Sequence, residues 1–203
     1  MTDIPVRCSC GSFRAQLNNV GPKHGSHVIC YCKSCQAFTH YLGKADEVLD
    51  EQGGTEIYQA SPGRLEILEG KEHLACVHLT DKPTLRWYAD CCKTPLGNTL
   101  ATSKLPFIGI IHSCLEYSEE TSGLDSLIGP VRGRVNGEGA YGDTSGLKIS
   151  KSSPLSLYWR FIMILLGTKL RGEHKKNPLF DPETGRPVVK PIRNQSSQKS
   201  EQA

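Results

Sequence analysis

Nine cysteines in this chain fall into ordered groups: Cys8-Ser9-Cys10, Cys30-Tyr31-Cys32-Lys33-Ser34-Cys35 and Cys91-Cys92, with Cys76 and Cys114 standing apart. Side chains two residues apart share a face of an extended segment, so Cys30 and Cys32 point the same way. The two-residue gap that follows predicts a tight turn returning Cys35 to the same point, as in zinc knuckles. Three convergent thiolates make a soft-metal site, for which Zn²⁺ is the expected occupant. Structural zinc takes four protein ligands, whereas three ligands and an open position is the catalytic arrangement. The triplet supplies three.

The remaining clustered cysteines form a second group. Cys8 and Cys10 share a face, and Cys91 and Cys92 follow after a long interval. Ligand pairs so separated usually pin a sheet's ends through a structural zinc, which adds folding energy to a small β domain. A disulfide reading needs an oxidising compartment. Met1-Thr2-Asp3-Ile4-Pro5 has no basic segment followed by an apolar one, so no secretory signal is read and a cytoplasmic chain with reduced, metal-binding thiols is expected. On that basis the sequon Asn194-Gln195-Ser196 stays unmodified. Cys76 and Cys114 read as buried small hydrophobes. His40 is weighed as a further ligand of the triplet against the alternative of a surface histidine.

A length of 203 residues suits one domain with extensions. Of 24 Lys/Arg and 21 Asp/Glu, residues 171–203 hold seven and four, so the first 170 residues balance at 17 of each. The net charge of +3 therefore belongs to the tail, and no basic stripe signals a nucleic-acid partner. Eight short runs rich in β-branched or aromatic residues alternate with turn signals: Ser12–Leu17, Ser26–Tyr31, Thr55–Ala60, Arg64–Leu68, Leu74–Leu79, Leu85–Ala89, Gly97–Ala101 and Phe107–His112. They predict a mainly β, small antiparallel domain over residues 4–115.

An extension over 116–193 begins Gly- and Ser-rich, with a short helix around Leu124–Ile128. Its Gly137-Glu138-Gly139-Ala140-Tyr141-Gly142 is a literal G-x-G-x-x-G. It lacks the flanking strand and helix of a dinucleotide site, so it reads as a flexible loop. A helix over 154–171 follows, with Ser153 as N-cap and Pro154 in the first turn. It is apolar on nearly every face, which predicts packing on the β domain or a homodimer contact. It is too short for a transmembrane span and carries Arg160 mid-way; surface attachment to a membrane stands as a third reading, though the helix lacks a strongly polar face. Residues 194–203 read as a disordered tail.

The segments Cys8-Ser9-Cys10-Gly11-Ser12-Phe13-Arg14-Ala15, Cys30-Tyr31-Cys32-Lys33-Ser34-Cys35-Gln36 and Cys92-Lys93-Thr94-Pro95-Leu96 resemble the glutathione-dependent formaldehyde-activating enzyme family, which includes centromere protein V. The resemblance covers about residues 4–115. It implies a β-tent domain with two zinc ions. Cys8, Cys10 and Cys92 would hold the structural ion, and Cys30, Cys32 and Cys35 a labile one that receives the sulfur of glutathione. The implied activity is that of a carbon–sulfur lyase on glutathione or another small thiol/aldehyde adduct. Lys33, Lys44, Arg64 and Arg86 are the available cations for its carboxylates.

The chain departs from the family in its last block. Ala89 stands where the first cysteine of a Cys-x-x-Cys-Gly is expected, and Lys93 replaces the glycine. Cys91 substitutes if a turn lets both neighbours reach one metal; otherwise Asp90 or water completes the shell, or the site is lost. Two further readings stand beside the enzyme: a non-catalytic zinc-stabilised interaction domain, and a thiol-based zinc or redox sensor.

Overall fold

The computed structural model describes residues 2–80, 82–117 and 123–193; the expected disordered tail and the Asn194 sequon lie outside them. Eleven strands occur among the described residues: β1 Thr2–Arg7, β2 Arg14–Val20, β3 Ser26–Cys30, β4 Thr55–Ala60, β5 Leu65–Glu69, β6 Leu74–His78, β7 Thr84–Ala89, β8 Thr94–Leu100, β9 Ile108–Ile111, β10 Gly133–Val135 and β11 Ile192–Arg193. Four helices accompany them: α1 Lys33–Tyr41, α2 Ala45–Val48, α3 Leu124–Ile128 and α4 Leu155–Leu170. The mainly β class read from sequence is what the chain adopts.

The strands form two sheets. One has three strands in the order β1-β2-β5, the other eight in the order β10-β3-β4-β9-β8-β7-β6-β11. Interior pairings are antiparallel, and each edge of the larger sheet gains a short parallel strand from the segment after residue 116. Such short outer strands cover edges that would otherwise expose unpaired backbone groups.

Strand alternation sends two sets of side chains to opposite faces of the large sheet. Tyr58, Ile108, Ile110 and Trp87 face the three-stranded sheet and bury against its Ile4, Val6, Ala15 and Leu17. Phe180, from the arm after α4, meets Trp87 edge-on at 6.2 Å. Full burial of each large apolar side chain contributes about 1.5–3 kcal/mol, so this sandwich is the main source of stability. The opposite face presents Val77, Tyr88 and Ile111, on which α1 lays Phe38 and Leu42.

Three elements differ from the sequence reading. The expected turn after Cys32 is instead the start of α1, because Cys35, Phe38, Thr39 and Leu42 are all buried and lie three or four residues apart on one helical face. The Gly137–Gly142 loop is packed rather than free: Gly137–Gly139 forms a 3₁₀ turn after β10. Finally, α4 begins one residue later than read. Pro154 keeps ψ at 149° and accepts from the Tyr158 N–H, so it occupies the N-cap position itself.

Candidate metal centres

The triplet is assembled by the junction of β3 and α1. Cys30 ends the strand, Cys32 is the N-cap of α1, and Cys35 lies in its first turn, where its N–H bonds to the Cys32 carbonyl at 2.9 Å. The three Sγ atoms all lie within 4.8 Å of one another. The positive end of the α1 dipole faces Cys32, the N-cap, and favours its thiolate form. Cys30 and Cys35 are buried and Cys32 is half-buried.

The surroundings of the triplet are built from distant segments. Arg86 of β7, only 5% exposed, sends one N–H to Cys35 Sγ at 3.5 Å and another to Ser34 Oγ at 2.8 Å. No salt bridge to a carboxylate accompanies it among the described residues. A buried guanidinium needs an anion nearby, and here the sulfurs are the groups that can supply it. On the other side, Asn136 Nδ2 reaches Cys30 Sγ at 3.2 Å.

With only protons on the sulfurs, hydrogen bonds from Cys30 and then Cys35 hold Cys32 down at about 2. The bond to Cys32 pushes Cys30 up, and for Cys35 the opposing effect of Cys30 is outweighed by Cys32 and burial. Burial alone lowers Arg86; the neighbouring sulfurs, Cys35 foremost, more than offset that and raise it.

The second cluster lies where the β1–β2 turn meets the β7–β8 turn. Cys8, Cys10, Cys91 and Cys92 have Sγ atoms mutually within 4.8 Å. The separations are 3.5 Å for Cys8–Cys10, 3.7 Å for Cys8–Cys91, 3.4 Å for Cys10–Cys91 and 3.8 Å for Cys91–Cys92. A tetrahedron with ~2.3 Å zinc–sulfur bonds has edges of about 3.8 Å, so the donor set fits a closed four-thiolate site. It couples the small sheet to the large one.

Residues 90–93 form a turn, so adjacent Cys91 and Cys92 both reach the cluster. Lys93 holds φ at +58°, the left-handed conformation that glycine would take more easily. Its ammonium pairs with Asp90 and lies 5.5 Å from the Tyr88 ring centroid. Burial raises Cys92, but hydrogen bonds led by Ser9 and Thr94 bring it down to about 5, while burial and then Cys10 push Cys91 up. Bonds from Ser12 lower Cys10.

The profile of a family of unknown function, DUF6151, matches residues 1–191. The chain belongs to that family. None of the curated proteins matches this DUF6151 chain. Among solved structures, a structural-genomics crystal structure of a Rhodobacter sphaeroides protein is similar at 16% identity with a TM-score of 0.40, covering 57% of this chain and 90% of that one.

The matched span includes the segment after residue 116, and in this DUF6151 chain that segment builds the wall of the triplet. Tyr31 N–H bonds to the Val135 carbonyl at 3.0 Å, and Gln36 Nε2 bridges the carbonyls of Tyr31, Gly53 and Gly139 at 3.3, 3.1 and 2.9 Å. A Cβ on Gly139 would stand 2.0 Å from the Tyr31 carbonyl oxygen. Gly139→Ala is therefore expected to cost about 1–3 kcal/mol and to lift the turn off the triplet. The measurable outcome is a lower melting temperature with faster metal loss from the triplet and none from the four-cysteine cluster.

Of the four expected cations, Lys33 alone lines the groove beside Cys32; Lys82 and Lys151 join it there. Arg86 is behind the sulfurs, Lys44 pairs with Glu47 at 2.6 Å, and Arg64 bonds to Glu173 at 3.0 Å and to the Asn19 carbonyl. His40 is exposed at the end of α1 and belongs to neither cluster. Cys76 and Cys114 are each 1% exposed in the apolar core. None of the nine cysteines is in a disulfide. Sequence reasoning missed Asn136, Lys82 and Lys151, since nothing local connects them to residues 30–35.

Proposed function

We propose that this chain carries two zinc ions, with Cys8, Cys10, Cys91 and Cys92 holding a structural one and Cys30, Cys32 and Cys35 a functional one. On this reading it is a carbon–sulfur lyase-like protein that binds glutathione or a similar thiol adduct, as the resemblance to the formaldehyde-activating family implies. The observation that carries the reading is the contrast between the clusters. One gathers four sulfurs; the other gathers three, with its half-buried member, Cys32, lining a groove of about 420 Å³.

Zinc bound at three thiolates supplies a Lewis-acidic position at which an added thiol loses its proton. The chain's own residues account for the rest. Arg86 offsets the negative charge of the sulfurs, and Asn136 and Gln36 keep the groove wall in place. Among the described residues, Lys33, Lys82 and Lys151 line the groove with Glu138 as the sole acid, a balance that attracts the carboxylates of a peptide thiol. In the lyase direction an S-hydroxymethyl adduct loses its hydroxyl proton, the carbonyl forms, the carbon–sulfur bond breaks and the sulfur leaves as thiolate.

Cobalt substitution provides the test. With Co²⁺ confirmed at Cys30, Cys32 and Cys35, millimolar glutathione is expected to change the thiolate-to-cobalt absorption, and Lys33→Glu with Lys82→Glu to weaken that change at least about tenfold. An unchanged spectrum at millimolar glutathione would sink the enzyme reading and leave a zinc-stabilised interaction domain.

A further inference from the structure

Helix α4 resolves an ambiguity of the sequence. Its apolar residues divide between two faces. Phe161 meets Phe107 at 5.1 Å, Ile164 and Thr168 are buried, and Arg160 ties the helix to the Gly25 carbonyl at 2.7 Å and to Ser26 Oγ at 2.9 Å. The outward face carries Leu155, Tyr158, Trp159, Met163, Leu166 and Leu170, exposed by 72, 60, 59, 62, 49 and 88%. Spacings of three and four residues place them on one helical stripe. Six of the eleven large hydrophobics exposed on the described surface thus lie on this helix. A contiguous patch of this kind marks an interaction site.

Charge around the stripe selects the partner. Lys151 precedes the helix, Lys169 and Arg171 end it, and Lys175 and Lys176 follow, all exposed. The one acid between Thr144 and Lys176 is Glu173, which Arg64 and Arg171 engage at 3.0 and 2.7 Å. Pairing two copies of this helix in either direction brings basic ends against basic ends or leaves them with no acidic group to meet. An anionic lipid surface offers both things the stripe lacks: acyl chains for its apolar residues and negative charge for its rim. Trp159 and Tyr158 are suited to the level of the headgroups.

We propose that α4 is an interfacial anchor that lies in the surface of an anionic membrane, with its inner face remaining packed on the sheet. The polar face that a free amphipathic helix would need is supplied by the protein beneath it. No helix of the described residues is long and apolar enough to cross a membrane, and an anchor lying in the interface does not require one.

The full chain is to be mixed with vesicles of phosphatidylcholine alone and with three-tenths phosphatidylserine. Co-sedimentation with the anionic vesicles is expected, together with a blue shift of tryptophan emission. That shift reports Trp159, because Trp87 is 1% exposed. Neutral vesicles are expected to bind at least about tenfold more weakly, and Leu166→Glu or Met163→Glu to lower binding to anionic vesicles by about tenfold or more. Both positions are exposed, so circular dichroism and metal content should match the parent chain. No association with either vesicle, association indifferent to both substitutions, or a concentration-dependent dimer abolished by Leu166→Glu would overturn the proposal, the last in favour of self-association.

Discussion

Replacing Cys8 with serine is expected to destabilise this chain more than any other single cysteine change, by about 3–5 kcal/mol or more where a structural zinc is lost. Cys8 is 1% exposed and its Sγ lies 3.5 Å from Cys10 and 3.7 Å from Cys91. It also receives the Phe13 N–H at 3.2 Å, which fixes the β1–β2 turn. With the cluster broken, the three-stranded sheet keeps its apolar packing and hydrogen bonds such as Ser9 N–H to Thr94 Oγ1 and Tyr58 O–H to the Gly21 carbonyl, both at 2.9 Å, but loses the four-sulfur link. Cys76→Ala supplies the control. Cys76 is equally buried but belongs to neither cluster, so its loss should cost only about 1 kcal/mol for the small volume removed. Thermal unfolding by circular dichroism separates the two, and bound zinc should fall by one equivalent for Cys8→Ser and by none for Cys76→Ala.

Arg86→Met is expected to act on the other centre. Removing the guanidinium leaves the anionic sulfurs without their buried counter-charge, and metal affinity at the triplet should fall by about 10–100-fold, the usual effect of removing a group that supports metal ligands. Arg86→Lys should recover part of the loss, since it keeps a charge but not the fork that serves both Cys35 and Ser34. Competition with a chromophoric chelator measures the change. Because Arg86 also stacks at 5.8 Å over Phe38, unfolding is monitored in parallel; a shifted melting temperature with unchanged metal affinity would assign Arg86 to packing alone.

The parts of this molecule that sequence revealed are those governed by neighbours along the chain. Eight strands could be read because β-branched residues alternate with turn signals. The triplet could be read because its sulfurs lie within six residues. Strand β1 was missed although Ile4, Val6 and Cys8 alternate inward, because Pro5 interrupts the run; proline is tolerated there since β1 is an edge strand. Helix α1 did leave a signal, the helical spacing of Cys35, Phe38 and Leu42, which a strand-and-turn reading of the cysteines obscured.

Other features depend on contacts that no local pattern encodes. Arg86 and Cys35 are 51 residues apart, and Asn136 and Cys30 are 106 apart. Each meets its partner only once the sheet has closed and β10 has docked beside β3. That adjacent Cys91 and Cys92 both reach the second cluster likewise rests on the backbone of a turn, where Lys93 takes a left-handed conformation. Helix α4 looked apolar all round because its inner and outer faces are both apolar; the packed sheet distinguishes them.

Zinc stoichiometry tests the two-centre assignment most directly. Full-length protein purified without chelator is expected to contain two zinc ions per chain. Cys32→Ser should hold one with its melting temperature nearly unchanged, and Cys91→Ala should lose both zinc and stability. Two ions retained in Cys32→Ser, or a fully folded parent chain that binds no zinc, would contradict the assignment.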